Sequence, residues 1–173
     1  MTDRGRFEQQ VLPHIDAAYN LARWLTRNDH DAEDVVQEAM LRAYRFFGGL
    51  RGAPRPWLLA IVRNACFTWL RNNRPAELTA PDEREQESDS PGPEAVVATE
   101  LNRQRVNDAI AALPVTFREV LVLRELEDLS YRDIARIAEV PIGTVMSRLA
   151  RGRRLLAESL RAASAPPRLR IHK

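Results

Sequence analysis

Apolar residues recur every three or four positions over most of the chain, and no stretch shows the strict alternation of a strand. Val11, Leu12, Ile15, Tyr19 and Ala22 fall on one face of a predicted first helix, with Pro13 near its start or at a kink. A second predicted helix opens on polar capping residues at 28–31 and carries Val35, Val36, Ala39, Met40 and Ala43 as its stripe. "GGLRGAPRP" breaks the pattern, and Pro56 suits the first turn of a third helix running to about residue 74. Four more helices are predicted at about 97–112, 115–127, 130–138 and 142–162, with Ser130 and Asp133 as a capping box for the short one. Between the two helical blocks, "RPAELTAPDEREQESDSPGPEAV" has too few large apolar residues to order itself. The expectation is all-α: a first domain over 1–75, a flexible linker over 76–97, a second domain over 98–163 and a basic tail over 164–173.

Charge sharpens this division. The chain of 173 residues has a formal net charge of +2, but its parts differ. Residues 1–75 carry net +3, residues 76–100 net −7 and residues 101–173 net +6. Two basic blocks around an acidic strip imply a polyanionic partner. The strip reads either as a competitor for the basic surfaces or as a solubilising tether. Lys173 is the sole lysine, so the positive charge is arginine, whose planar fork suits phosphate and guanine. The single cysteine, Cys66, excludes an internal disulfide and a zinc site built of cysteines. No run approaches the ~18 apolar residues of a membrane span, and "MTDRGRFEQQ" has no apolar signal core. A cytoplasmic protein without membrane insertion is expected, and no cofactor or metal is implied.

The last predicted helix carries the chemistry. "VPIGTVMSRLARGRRLL" holds Arg148, Arg151, Arg153 and Arg154 and no acid. With Arg148 at the origin and about 100° per residue, Ile142, Val145, Leu149, Leu156 and Leu160 fall together. Thr144, Ser147, Arg151 and Arg154 fall on the opposite side, Arg148 on the border and Arg153 near the packing face. A short amphipathic helix, "SYRDIARIA", and the turn "EVPI" precede it, which is the pattern of a helix-turn-helix whose second helix enters the major groove.

The stretch Asp108–Leu160, "DAIAALPVTFREVLVLRELEDLSYRDIARIAEVPIGTVMSRLARGRRLLAESL", closely resembles region 4 of the extracytoplasmic-function sigma factors. "DAEDVVQEAMLRAYRFF" and "WLLAIVRNACFTWLR" resemble the family's region 2. The resemblance implies a subunit, not an enzyme, that binds core RNA polymerase and promoter DNA. It implies contacts to the minus-thirty-five duplex at Gly143, Thr144, Ser147, Arg148, Arg151 and Arg154. Met146 stands where many relatives have a basic residue, which turns attention to a thymine methyl contact. For the single-stranded minus-ten element it implies Asn64 as a base reader and Arg42, Arg45 and Arg51 on phosphates, with a loop at 48–56 shorter than usual. Asp31, Asp34, Gln37 and Glu38 resemble the face that meets the clamp helices of the largest polymerase subunit, and an anti-sigma factor is an expected further partner. Phe67 reads as core packing or as a stacking platform between Arg63 and Arg71. Two rival readings compete. A stand-alone helix-turn-helix regulator leaves the first block unused. A metal-dependent nuclease would rest on Asp29, Asp31, Glu33, Asp34 and Glu38, which scatter around one helix start, while His14, His30 and His172 are dispersed.

Overall fold

The computed structural model describes residues 1–79 and 100–164. The acidic strip beyond residue 79, to which the linker reading applies, and the tail from 165 lie outside the described residues. The first block holds α1 (Asp3–Gln10), α2 (Ile15–Thr26), α3 (Asp29–Arg45) and α4 (Pro54–Asn73). The second holds α5 (Glu100–Ala111), α6 (Val115–Leu121), α7 (Tyr131–Ala138) and α8 (Ile142–Ser164). A π-helical turn, Val122–Leu126, continues α6.

Local chemistry sets the helix boundaries. Asn28 has extended backbone, and its side chain accepts from the Asp31 N–H at 3.0 Å to start α3. Ser130 does the same for α7 through the Asp133 N–H at 3.1 Å, as its spacing predicts. Pro54 opens α4, and Pro56 sits in its first turn, as expected. The proline at position 13 does more than kink the first helix. It sits in a 3-10 turn, Leu12–His14, that separates α1 from α2 and resets the register. Leu12 and Ile15, predicted to pack, are exposed, while Val11, Ala18, Leu21, Ala22 and Leu25 are buried.

α2, α3 and α4 pack around these residues together with Val35, Val36, Ala39, Leu58, Leu59, Val62, Cys66 and Leu70. In the second block Phe117, Val120, Leu121, Ile134, Ile137, Val145 and Leu149 are buried between α6, α7 and α8. Gly152 permits the close approach of α8 to α6, since a β-carbon there would lie 3.1 Å from Leu121 and 3.4 Å from Phe117. The predicted linker start is not free chain. Pro75–Leu78 form a 3-10 turn whose Glu77 pairs with Arg27, and Arg74 donates to the Thr26 carbonyl at 2.6 Å.

The two blocks touch. α4 packs on α7, and α2 packs on α6. Arg118, almost fully buried, holds one junction: its Nη1 donates to the carbonyls of Ala111 and Leu113 at 3.0 and 2.8 Å, and its Nη2 reaches the Leu25 carbonyl of α2 at 3.3 Å. Burial brings its pKa down to about 10, so it remains a cation at neutral pH, placed where the carbonyl end of α5 favours one.

Cys66 is fully buried on α4, and burial pushes its thiol up to about 12. At pH 8 its thiolate fraction is therefore about a thousandfold below that of a thiol at the ordinary value of 9.0. Alkylation by iodoacetamide at pH 8 is expected to be at least that much slower in the native protein than in denaturant. Equal rates would show that the α2–α3–α4 core does not enclose this position.

Candidate nucleic-acid and polymerase interfaces

The turn between α7 and α8 is tight. Glu139 ends α7 in the left-handed region at φ 56°, and the Thr144 and Val145 N–H groups bond to the Pro141 carbonyl at 2.9 and 3.2 Å. Val145 and Leu149 anchor α8 inward, as the helical wheel predicts. The solvent side of its first turns then carries Ile142, Gly143, Met146, Ser147 and Ala150. Gly143 has open space around it, and a β-carbon there would meet nothing within 4 Å. The Ser147 hydroxyl donates to the Thr144 carbonyl at 3.1 Å, which leaves its oxygen free to accept.

The arginines sit differently from the wheel. Arg148, Arg151 and Arg154 are half-buried on the flanks of this exposed face, with Thr144 also half-buried. Arg151, predicted opposite the packing stripe, lies with its guanidinium 5.3 Å from the Phe117 ring centroid. Arg151 neighbours Gly152, where α6 approaches α8, and its long side chain reaches Phe117 from there. Arg153 is structural: its Nε and Nη2 donate to one Glu125 oxygen at 3.1 and 2.7 Å.

On α3, Asp34, Gln37 and Glu38 are exposed, one turn apart. Leu41 continues this face and is 71% exposed. It was absent from the sequence-predicted set, although an apolar residue off the Val35/Val36/Ala39 stripe was a readable signal. Asp31 departs from that face. It is half-buried and accepts from Arg74 Nη2 at 3.3 Å, which pins the start of α3 to the end of α4. Glu38 also pairs with Arg42 at 3.2 Å on the surface.

On α4, Asn64 is exposed and its Oδ1 accepts from Arg63 Nη1 at 3.3 Å. Arg45 and Arg51 are exposed at the end of α3 and in the loop before α4. The sequence points to Arg63 only as a flank of Phe67, and to Arg55 not at all. Arg63 Nε donates to Glu119 Oε1 of α6 at 2.5 Å, and its guanidinium lies 3.8 Å from the Phe67 ring centroid. Arg55 donates to Glu127 Oε2 at 2.6 Å, and Asn20 Nδ2 to Glu127 Oε1 at 2.7 Å. Glu119 is fully buried, and burial holds it above the ordinary carboxylate range against the pull of Arg63 and, more weakly, of Arg148.

Among the described residues, no group of three or more His, Cys, Asp or Glu is placed to hold a metal ion. The acids of the nuclease reading are partly spent in ion pairs, Asp29 with Arg23 at 2.7 Å, Asp31 with Arg74 and Glu38 with Arg42. No described helix is long and apolar enough to cross a membrane.

Comparison with known proteins matches both blocks. Residues 11–75 match sigma-70 region 2, and residues 103–156 match sigma-70 region 4. The RNA polymerase sigma-H factor of Pseudomonas aeruginosa is 34% identical over 91% of this chain and 88% of its own length. The ECF RNA polymerase sigma factor SigM of Mycobacterium tuberculosis is 39% identical over 91% of this chain and 79% of its own. The sigma factor RpoE of Bartonella quintana, solved in complex with the anti-sigma factor NepR, superposes with a TM-score of 0.70 at 29% identity, over 90% of this chain and 97% of that one. With region 2 and region 4 both present in one helical chain, this protein belongs to the extracytoplasmic-function sigma factors, the RNA polymerase subunits that recognise promoters and direct transcription initiation.

Proposed function

We propose that the two blocks divide promoter recognition between them, with no catalysis of the chain's own, in the cytoplasm. α8 is the reader of the minus-thirty-five duplex. The observation that carries this is Gly143, in the first turn of α8: glycine is a poorer helix former than alanine, and nothing among the described residues needs the space it leaves. A backbone approaching from outside does need it. Gly143, Thr144, Met146 and Ser147 then lie at base edges, and Arg148, Arg151 and Arg154 flank them on phosphates. The exposed Met146 offers a thymine methyl an apolar contact. The region after α3 and the α4 surface at Asn64 take the single-stranded minus-ten element, with Arg42, Arg45 and Arg51 on its backbone. Asp34, Gln37, Glu38 and Leu41 meet the polymerase clamp helices. Asp31 supports that face through Arg74 instead of touching the partner.

An anti-sigma factor is the further partner we propose. The support is the shared arrangement of both halves with a relative that was captured bound to one. The reading as a stand-alone helix-turn-helix regulator does not account for region 2, which spans residues 11–75.

Gly143→Ala is expected to leave thermal stability unchanged or slightly raised while weakening binding to duplex promoter DNA at least tenfold. Unchanged DNA affinity would remove Gly143 from the interface. Arg151→Ala, if the side chain holds a phosphate, should lower affinity evenly across sequences and reduce the salt slope by about one. Selective loss at one base pair would place Arg151 on a base edge. Asn64→Ala should spare duplex binding and impair open-complex formation. On a template with a pre-opened bubble, a surviving defect with lost sequence preference assigns Asn64 to base reading, and rescue assigns it to melting. For the polymerase face, Asp34→Arg with Leu41→Ser should abolish co-purification with core polymerase at unchanged helicity; normal co-purification would refute the assignment.

A further inference from the structure

Arg63 lies beside the proposed minus-ten reader, and its surroundings already describe a ligand. Its guanidinium rests on the Phe67 ring at 3.8 Å, touches Asn64 through Nη1, and turns Nε to a carboxylate oxygen at 2.5 Å. An arginine edge beside an aromatic face is how single-stranded nucleic acid is held, with phosphate on the guanidinium and a base on the ring. Here the anion is Glu119, supplied by region 4. The same substitution recurs at the start of α4, where Arg55 is held by Glu127 of region 4 at 2.6 Å. We propose that Arg63, with Phe67 and Asn64, is a further contact for single-stranded DNA, and that Glu119 occupies it while the two halves are closed, so that each half masks the other until they separate. This rests on the reading of α4 as the single-strand surface.

One further observation favours a contact made to be broken. Glu119 is fully buried, yet its Oε2 accepts no hydrogen bond, so the pair is incompletely satisfied. A buried pair of this kind contributes little net stability, because separation returns both charges to water.

The test uses full-length protein, small-angle scattering, and a fluorescein-labelled single-stranded DNA 15-mer of mixed sequence. Glu119→Gln is nearly isosteric and removes the charge. It should enlarge the radius of gyration and tighten single-strand binding about tenfold, as expected when a competent state goes from about a tenth of the population to most of it. Adding Arg63→Gln should keep the expanded shape and erase the gain. The exchange Arg63→Glu with Glu119→Arg should restore compactness without restoring binding, and circular dichroism should show each variant fully helical. A compact Glu119→Gln protein with wild-type affinity overturns the masking. An expanded double variant that binds as tightly as Glu119→Gln alone overturns the contact at Arg63. If the expanded Glu119→Gln protein gains nothing and Asn64→Ala is also without effect, the reading of α4 itself fails, whereas a lost gain confined to Arg63 variants leaves that reading standing.

Discussion

Glu119 is buried where water does not reach it, and the guanidinium that meets it belongs to the other half of the chain. Much of this structure follows from that constraint. Two arginines of the first half meet carboxylates of the second, Arg63 with Glu119 and Arg55 with Glu127. Arg118 adds a junction of a different kind, a cation spent on carbonyl oxygens from both halves. The buried apolar residues of both halves form one continuous cluster, and the charged contacts lie at the same junction.

The helices were legible in the sequence because their signals are local. A capping side chain acts three residues away, as Asn28 and Ser130 do, and an apolar stripe repeats within two turns. The helix-turn-helix was legible for the same reason. Leu12 and Ile15 misled because Pro13 begins a new register, so a stripe counted across it joins two different faces. Arg151 misled because a wheel places only the Cα, whereas this long side chain, beside Gly152 where α6 approaches, reaches the Phe117 ring. Asp31 meets Arg74, 43 residues on, a contact that no local pattern signals. The Arg63–Glu119 pair, 56 residues apart, left no periodic or compositional trace. Leu41 was legible in principle, as an apolar residue off the buried stripe with no structural use.

Membership of the sigma factor family and the geometry of the two halves fit one division of labour. α8 presents a face of Ile142, Gly143, Met146, Ser147 and Ala150 with half-buried arginines nearby, suited to entry into a groove. α4 presents an amide and a ring-backed guanidinium, suited to bases that have left their stack. α3 presents acids around one exposed leucine, suited to a protein surface. These are three chemistries on three helices, and each requires the others to be held at a set distance along the promoter.

The most direct test of this account is the spacing between the two promoter elements, measured by in vitro transcription with core polymerase and the purified chain. Once a promoter has been mapped from its transcripts, inserting five base pairs between the elements turns one about half a helical turn away from the other. The account predicts that initiation then falls to background, while each element alone, as duplex or as pre-opened strand, still binds its own reader. Initiation unaffected by the insertion would show that the two halves of this chain do not read the two elements together, and would contradict the account.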